Sequence, residues 1–319
     1  MRYKEFGKTG MKVSEIALGT WGIGGAGWDD NPEATRVDAI CAAVENGINF
    51  IDTAPAYNSG EAERVIGRAL KDSGKRQDMI ITTKCGNFYM GNGVYVRDGH
   101  RDKIISQCEE SLRNLQTDYI DLMLIHWPDV NTPFEETMGA LSDLKKEGKI
   151  LHVGVSNFTR EQMEDANRYC PIEAYQPQHS MVFRSNEEQM KWCAEQGMGI
   201  MTYGSLGGGI LTGAFRQLTT FEATDSRNRF YKHFQEPTFS KVMKVLEVMD
   251  KVSAERGGVP LAQIALNWCA QKDFVSSCIV GAQSRRKVEQ NCAGFEWTLT
   301  AEEMAILDGA IEQYLGEEK

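Results

Sequence analysis

The stretch GTWGIGGAGW, residues 19–28, contains Gly22-x-Gly24-x-x-Gly27, the spacing of a dinucleotide-binding turn. It follows an apolar run, Ile16-Ala17-Leu18, and a second run, Asn49-Phe50-Ile51, ends in Asp52. A Rossmann turn opens its helix inside the glycine repeat and sets a pyrophosphate on the helix N-terminus. Here the chain continues WDDNP through residues 28–32. Pro32 reads as a first-turn helix residue, so the helix begins about five residues too late. Asp29 and Asp30 would also face a diphosphate with like charge. The repeat therefore reads as a loop, and the fold has to be found outside it.

Outward from that loop the chain keeps a simple rhythm. Strand candidates lie at 15–20, 49–54, 78–84, 120–126, 150–155, 172–178, 199–203 and 276–281. Helical patterns fall between them at 33–46, 61–72, 101–116, 134–147, 160–169, 186–196, 238–256 and 260–271. Two more follow the last strand, at 284–292 and 301–314. Runs such as MIITT and IDLMLIH are nearly continuous in apolar residues, the pattern of strands buried on both faces. Repeated strand–helix units of this kind predict a single-domain α/β fold, a (β/α)8 TIM barrel spanning 1–319. The longest irregular stretch, about 204–237, follows the seventh strand, and loops of that length are usually functional or disordered.

Composition excludes several function classes. The formal net charge is −10 over 319 residues, so the overall field favours neither nucleic acid nor an anionic membrane. No apolar run approaches the roughly 18 residues of a membrane span, and the first residues, MRYKEF, lack the apolar core of a signal peptide. The eight cysteines are scattered without a Cys-x-x-Cys, which fits reduced thiols in a cytoplasmic protein and neither a zinc site nor a disulfide framework. No metal site is expected.

Chemistry-bearing residues gather at strand ends. The second strand ends NFIDTAPAY, offering Asp52 and Tyr57; the third ends in Lys84; the fourth ends LIHWPD, offering His126. In a barrel these ends converge on one face, where active sites form. Each residue alone has an ordinary structural role available, such as a turn cap or a rim contact. Together they suit proton donation to a carbonyl oxygen. A phenol is a weak acid at neutral pH; a nearby ammonium favours its ionised form; and a buried ammonium needs a carboxylate partner. On this reading Asp52 holds Lys84, Lys84 lowers the pKa of Tyr57, Tyr57 gives the proton, and His126 orients the carbonyl.

Three longer stretches, GINFIDTAPAYNSGEAERVIGRAL (47–70), SLRNLQTDYIDLMLIHWPD (111–129) and GKILHVGVSNF (148–158), resemble signatures of the aldo-keto reductase superfamily. The branch most resembled is the bacterial one related to potassium-channel β subunits, and the resemblance runs over essentially the whole chain. It implies a (β/α)8 barrel that binds a nicotinamide cofactor without a Rossmann fold, and a catalytic tetrad of Asp52, Tyr57, Lys84 and His126. It also implies a small-molecule aldehyde or ketone as substrate, near Trp21, Tyr57, His126 and Trp127. Other loop aromatics, Trp28, Phe88, Tyr89 and Tyr95, are further pocket candidates. A different reading within the same superfamily is a regulatory subunit that holds cofactor with little turnover.

The resemblance carries cofactor positions over one at a time. Ser156, Asn157 and Gln176 match the groups that hold the nicotinamide carboxamide, with Gln178 as a less favoured register. Tyr203 matches the ring that stacks on the nicotinamide. Gly204, Ser205, Leu206 and Gly208 correspond to the pyrophosphate segment, and Thr20, Trp21 and Asp52 lie at the mouth beside it. Gly281, Gln283, Lys287, Gln290 and Asn291 match the adenosine-phosphate positions. His179 falls where relatives commonly carry an aromatic residue. The cations Arg285, Arg286 and Lys287 lead to an expectation of NADPH over NADH, with NADH possible.

Overall fold

A computed structural model describes residues 1–25, 31–91, 93–222, 225 and 227–317. Eight parallel strands close into a barrel: β1 (Ile16–Gly19), β2 (Phe50–Asp52), β3 (Ile80–Cys85), β4 (Ile120–Ile125), β5 (Ile150–Ser156), β6 (Ala174–Gln176), β7 (Gly199–Thr202) and β8 (Ser277–Gly281). Closure comes from β8 pairing with β1 in the register Cys278↔Ile16 through Gly281↔Gly19. All eight expected strands are present in order, each within its expected range to a residue or two.

Among the described residues ten helices of seven residues or more pack outside: α1 (Glu33–Glu45), α2 (Glu61–Ser73), α3 (Arg101–Leu115), α4 (Phe134–Lys146), α5 (Arg160–Ala166), α6 (Glu187–Glu195), α7 (Thr238–Glu255), α8 (Leu261–Ala270), α9 (Arg285–Ala293) and α10 (Ala301–Leu315). A four-residue helical turn, Arg227–Phe230, precedes α7. Most helices bury one stripe, as α2 does with Ala62, Val65, Ile66, Ala69 and Leu70, whereas α8 is buried nearly all round. Thr159 and Thr300 close capping boxes with Gln162 and Glu303 at the starts of α5 and α10. Among the described residues no helix is long and apolar enough to cross a membrane.

Two short hairpins were not anticipated. Tyr3–Glu5 pairs with Lys12–Ser14, and Asn87–Tyr89 pairs with Tyr95–Arg97. The first plugs the barrel floor. Phe6 between its strands is fully buried and packs with Val13, Ala17, Phe50, Leu122, Leu124, Ala174, Met201 and Ile279 inside the barrel. Its ring meets Phe50 edge-on at 5.3 Å. Gly199 on β7 makes the room: a Cβ there would lie 2.4 Å from the Phe6 ring. The interior is thus filled from below, and chemistry is confined to the other end. The second hairpin stands over that end, immediately after β3.

Candidate active site

The C-terminal ends of β2, β3 and β4 carry the four candidate catalytic groups. Asp52 is the last residue of β2, and the chain then turns so that Tyr57 N–H donates to Ala54 O at 3.0 Å. Lys84 lies inside β3, one residue before its end, with its side chain reaching the end of the neighbouring strand β2. Its three N–H donors are all directed: to Asp52 Oδ1 at 2.7 Å, Thr53 O at 2.9 Å and the Tyr57 hydroxyl oxygen at 3.2 Å. Lys84 and Asp52 are almost wholly buried, while Tyr57 is half-buried at the mouth. Because Tyr57 accepts from Lys84, its own proton remains to be given, and among the described residues it donates to none.

His126 follows β4 directly and is half-buried, its ring edge-on to Tyr57 at 6.1 Å between centroids. Burial first, then the charges of Lys84 and Arg97, hold its imidazole well below the usual histidine range. It is therefore a neutral ring that donates one N–H. Burial and the Asp52 carboxylate push the Tyr57 phenol well above its ordinary value. The sequence reading expected Lys84 to lower it. In the folded site desolvation of the phenolate dominates, and the negative charge of Asp52 acts in the same direction. Burial likewise pulls Lys84 itself down, against the upward pull of Asp52.

A second network covers the ends of β5, β6 and β7. Ser156 Oγ donates to Gln176 O at 2.8 Å, and Asn157, with φ +61°, donates its amide to His126 O and Ser156 Oγ, both at 3.0 Å. The Tyr203 hydroxyl donates to Asn157 Oδ1 at 2.9 Å. Gln176 Nε2 donates to Asp52 Oδ1 at 2.7 Å, which joins the two networks. That link spans 124 residues and has no local sequence signal. Gln178 points elsewhere: its carbonyl accepts from Asn186, and its side chain packs beside Gly204.

The remaining expected positions ring the same mouth. Thr20 N–H and Oγ1 both donate to Asp52 O, at 3.0 and 2.9 Å. Trp21 stacks on Tyr57 at 6.2 Å and meets Phe230 edge-on at 6.0 Å. Gly22–Gly24 form one tight 3₁₀ turn, and among the described residues the first α-helix begins at Glu33, with Pro32 at its N-cap. Gly27, Trp28, Asp29 and Asp30 lie outside the described residues. Trp127 carries the Arg97 guanidinium over its ring at 4.6 Å. Arg97, on the unforeseen hairpin, and Phe230, against Trp21, are mouth residues that sequence reasoning missed; the only sequence signal of Arg97 is a cation in a loop after a strand end. Phe88 and Tyr89 are half-buried on that hairpin, and Tyr89 and Tyr95 pack on one another.

After β7, Ser205 is buried with its hydroxyl 3.5 Å from Thr202 O and 3.4 Å from Ile279 O. The turn Gly207–Thr212 follows Leu206, and Gly208 has φ +64° with its α-carbon against Tyr231; a Cβ there would lie 2.8 Å from that ring. After β8, Gly281 is exposed with open space around it. Gln283 Nε2 donates to Gly22 O at 2.7 Å, tying this loop to the 3₁₀ turn that follows β1. Ser284 takes the N-cap of α9 but its hydroxyl makes no capping bond. Lys287 is exposed on the first turn, with Gln290 and Asn291 one turn later, the Gln290 carbonyl accepting from Gln263. Arg285 is committed elsewhere, to Asp38 at 2.8 Å and Glu45 at 2.6 Å on α1. A helix N-terminus with an uncommitted hydroxyl and exposed cations fits a phosphate, and the amide-rich β5–β6 rim fits a carboxamide.

The sequence model of the aldo/keto reductase family matches residues 15–312. The chain belongs to that family. This aldo/keto reductase is 33% identical to a probable voltage-gated potassium channel subunit beta of Arabidopsis thaliana, over 91% of this chain and 90% of that one. It is 31% identical to an NADH-specific methylglyoxal reductase of Escherichia coli, over 96% of this chain and 97% of the relative. Its fold superposes on a glycerol dehydrogenase from Gluconobacter oxydans with a TM-score of 0.86 at 34% identity, covering 96% of this chain and 93% of that one. The family comprises oxidoreductases acting on carbonyl groups with nicotinamide cofactors, and the closed barrel agrees with it.

Proposed function

We propose that this chain is an NAD(P)H-dependent carbonyl reductase, working as an alcohol dehydrogenase in reverse, with Tyr57 as general acid. The observation that carries this is the Tyr57 hydroxyl: it accepts from Lys84 at 3.2 Å, donates to no described residue, and faces the mouth beside His126. A reduced nicotinamide, when bound, supplies hydride to the substrate carbonyl carbon. The chain supplies the rest. Tyr57 gives its proton to the carbonyl oxygen. Neutral His126 donates a hydrogen bond to the same oxygen and orients it, in a site where such bonds count for more than in water. As the phenol ionises, Lys84 is already within hydrogen-bonding distance, so the phenolate meets an ammonium with no rearrangement. Asp52 keeps that ammonium charged, and Gln176 keeps Asp52 in place.

Ser156, Asn157 and Gln176 are the groups that would hold the carboxamide, and Tyr203 the ring that would cover the nicotinamide. Gly204, Ser205, Leu206 and Gly208 would hold the pyrophosphate, with Thr20 and Trp21 alongside. Gly281, Gln283, Lys287, Gln290 and Asn291 would hold the adenosine end. NADPH is the proposed cofactor, on the cations Arg286 and Lys287, both exposed in the first turn of α9; Arg285 is engaged by Asp38 and Glu45. The substrate is a small aldehyde or ketone contacting Trp21, Tyr57, His126 and Trp127. The cytoplasm is the proposed compartment, since all eight cysteines are free thiols.

Steady-state oxidation of NADPH and NADH with a panel of aldehydes and ketones tests the reading. Turnover with at least one carbonyl is expected. Tight cofactor binding with no turnover across the panel would favour a cofactor-holding regulatory subunit instead.

A further inference from the structure

A second cluster of reactive side chains lies away from the mouth, in the layer between barrel and helices. His179, just past β6, is fully buried. Its ring stacks on Trp268 of α8 at 5.4 Å and 17°, so it fills the place of the aromatic residue expected there. Unlike a phenyl ring it has two nitrogens to satisfy. Nδ1 lies 3.2 Å from Cys269 Sγ, and Nε2 lies 3.0 Å from Glu187 Oε1 in the first turn of α6. Thr202 Oγ1 is 3.4 Å from the same sulfur. Cys278 is in register with Thr202 across β7 and β8, which sets its thiol beside Cys269, near enough for the two groups to interact. Carboxylate, imidazole and thiol thus stand in line, with the carboxylate and the thiol on the two different nitrogens of the ring. In that order a carboxylate fixes the tautomer and the imidazole takes the thiol proton.

We propose that Cys269 is a peroxide-sensitive modification site, activated by His179 and Glu187, with Cys278 as the thiol that resolves it to an intramolecular disulfide. In the first step the Cys269 thiolate attacks one peroxide oxygen. The S–O bond forms as the O–O bond breaks, and the departing hydroxide takes the His179 proton and leaves as water. In the second step Cys278 sulfur attacks the sulfenic sulfur; the S–S bond forms, the S–O bond breaks, and the leaving hydroxide takes the Cys278 proton. Two thiols are oxidised and one peroxide is reduced to two waters.

The other thiols of the chain give the contrast. Burial pushes Cys41, Cys85, Cys108, Cys170, Cys193, Cys278 and Cys292 above the ordinary thiol range. Burial acts in the same direction on Cys269, but the neighbouring Cys278 thiol and His179 overcome it and hold Cys269 well below that range. His179 is lifted to about 9 against burial, by Cys269 and Glu187. Peroxide reacts with thiolates, so selectivity follows charge. Cys269 is fully buried, which restricts the oxidant to a small neutral molecule entering by local opening of the packed layer.

The test treats the reduced full-length protein with hydrogen peroxide, then alkylates free thiols in denaturant and maps peptides by mass spectrometry. Cys269 and Cys278 are expected to link first, with half-buried Cys41 still free. Cys278→Ser should leave a sulfenic acid at Cys269 that a dimedone probe captures. His179→Phe keeps the ring on Trp268 and should slow Cys269 oxidation by about 30-fold, the ratio of full ionisation to the few per cent thiolate of an ordinary cysteine at pH 7. Glu187→Gln, at a partly exposed position, should slow it in the same direction if His179→Phe does not fold. Oxidation of Cys41 ahead of Cys269, or an unchanged Cys269 rate in either variant, would overturn the proposal.

Discussion

Replacing Lys84 with methionine separates the charge of the buried pair from its packing. The ammonium and the Asp52 carboxylate are 2.7 Å apart, with side chains 1% and 5% exposed. Methionine fills most of the same volume but leaves Asp52 with Gln176 Nε2 as its described side-chain donor. Removing one member of a buried pair costs about 3–5 kcal/mol, because the remaining charge is desolvated without a partner. With a urea m-value of about 3 kcal/mol/M for a chain of this size, the unfolding midpoint should fall by about 1–1.7 M. The sign of the pH dependence follows from proton uptake. A stranded buried carboxylate binds a proton more readily than the same group in the unfolded chain, so the folded variant binds more protons and gains stability as pH falls. The Lys84→Met deficit should therefore be smaller near pH 5 than near pH 8. Lys84→Met with Asp52→Asn removes the stranded charge and should recover most of the loss. A deficit below about 1 kcal/mol, or a double variant no more stable than the single one, would refute the view that this pair is held by mutual charge compensation.

Three further outcomes are expected. Because burial raises Tyr57 and lowers His126, kcat/KM for reduction should stay flat between about pH 6 and pH 9, falling only as Tyr57 ionises above its ordinary range; an alkaline limb below pH 9 would mean that Lys84 overrides desolvation. NADPH should be preferred over NADH by about fivefold in kcat/KM at low salt, shrinking as salt screens the exposed cations of α9, and an NADH preference at low salt would remove the 2′-phosphate assignment. Tyr203→Phe frees Asn157 Oδ1 while keeping a ring for stacking, so cofactor titration should show binding up to about fivefold tighter, in line with one hydrogen bond exchanged; weaker binding would show that the hydroxyl itself contacts the cofactor.

The barrel was legible because its strands are buried on both faces and read as apolar runs, and because the signature stretches fix their order. Asp52, Tyr57, Lys84 and His126 were legible for a related reason: each sits at or within a few residues of a strand end, so the fold alone brings them together. The hairpins were not. Tyr3–Glu5 and Tyr95–Arg97 are three residues long, mostly exposed, and carry Lys, Glu and Arg, so no period-2 pattern survives. Arg97 was hidden with its hairpin. The field of the site was also hidden, since the ionisation of Tyr57 depends on how deeply it is buried and on the negative charge of Asp52. Arg285 looked like one of three phosphate-binding cations in SRRK; Asp38 and Glu45, seven residues apart on α1, claim it only once α1 and α9 pack side by side. Gln176 shows the same limit, since its bond to Asp52 crosses the barrel.

The central claim is that the Tyr57 hydroxyl gives the proton. Tyr57→Phe keeps the ring stacked beneath Trp21 and removes only the acid. Measured on the best carbonyl of the panel, kcat should fall by roughly 10²-fold or more, in the range of general-acid contributions, with the cofactor dissociation constant little changed. Turnover near the wild-type rate would contradict the account.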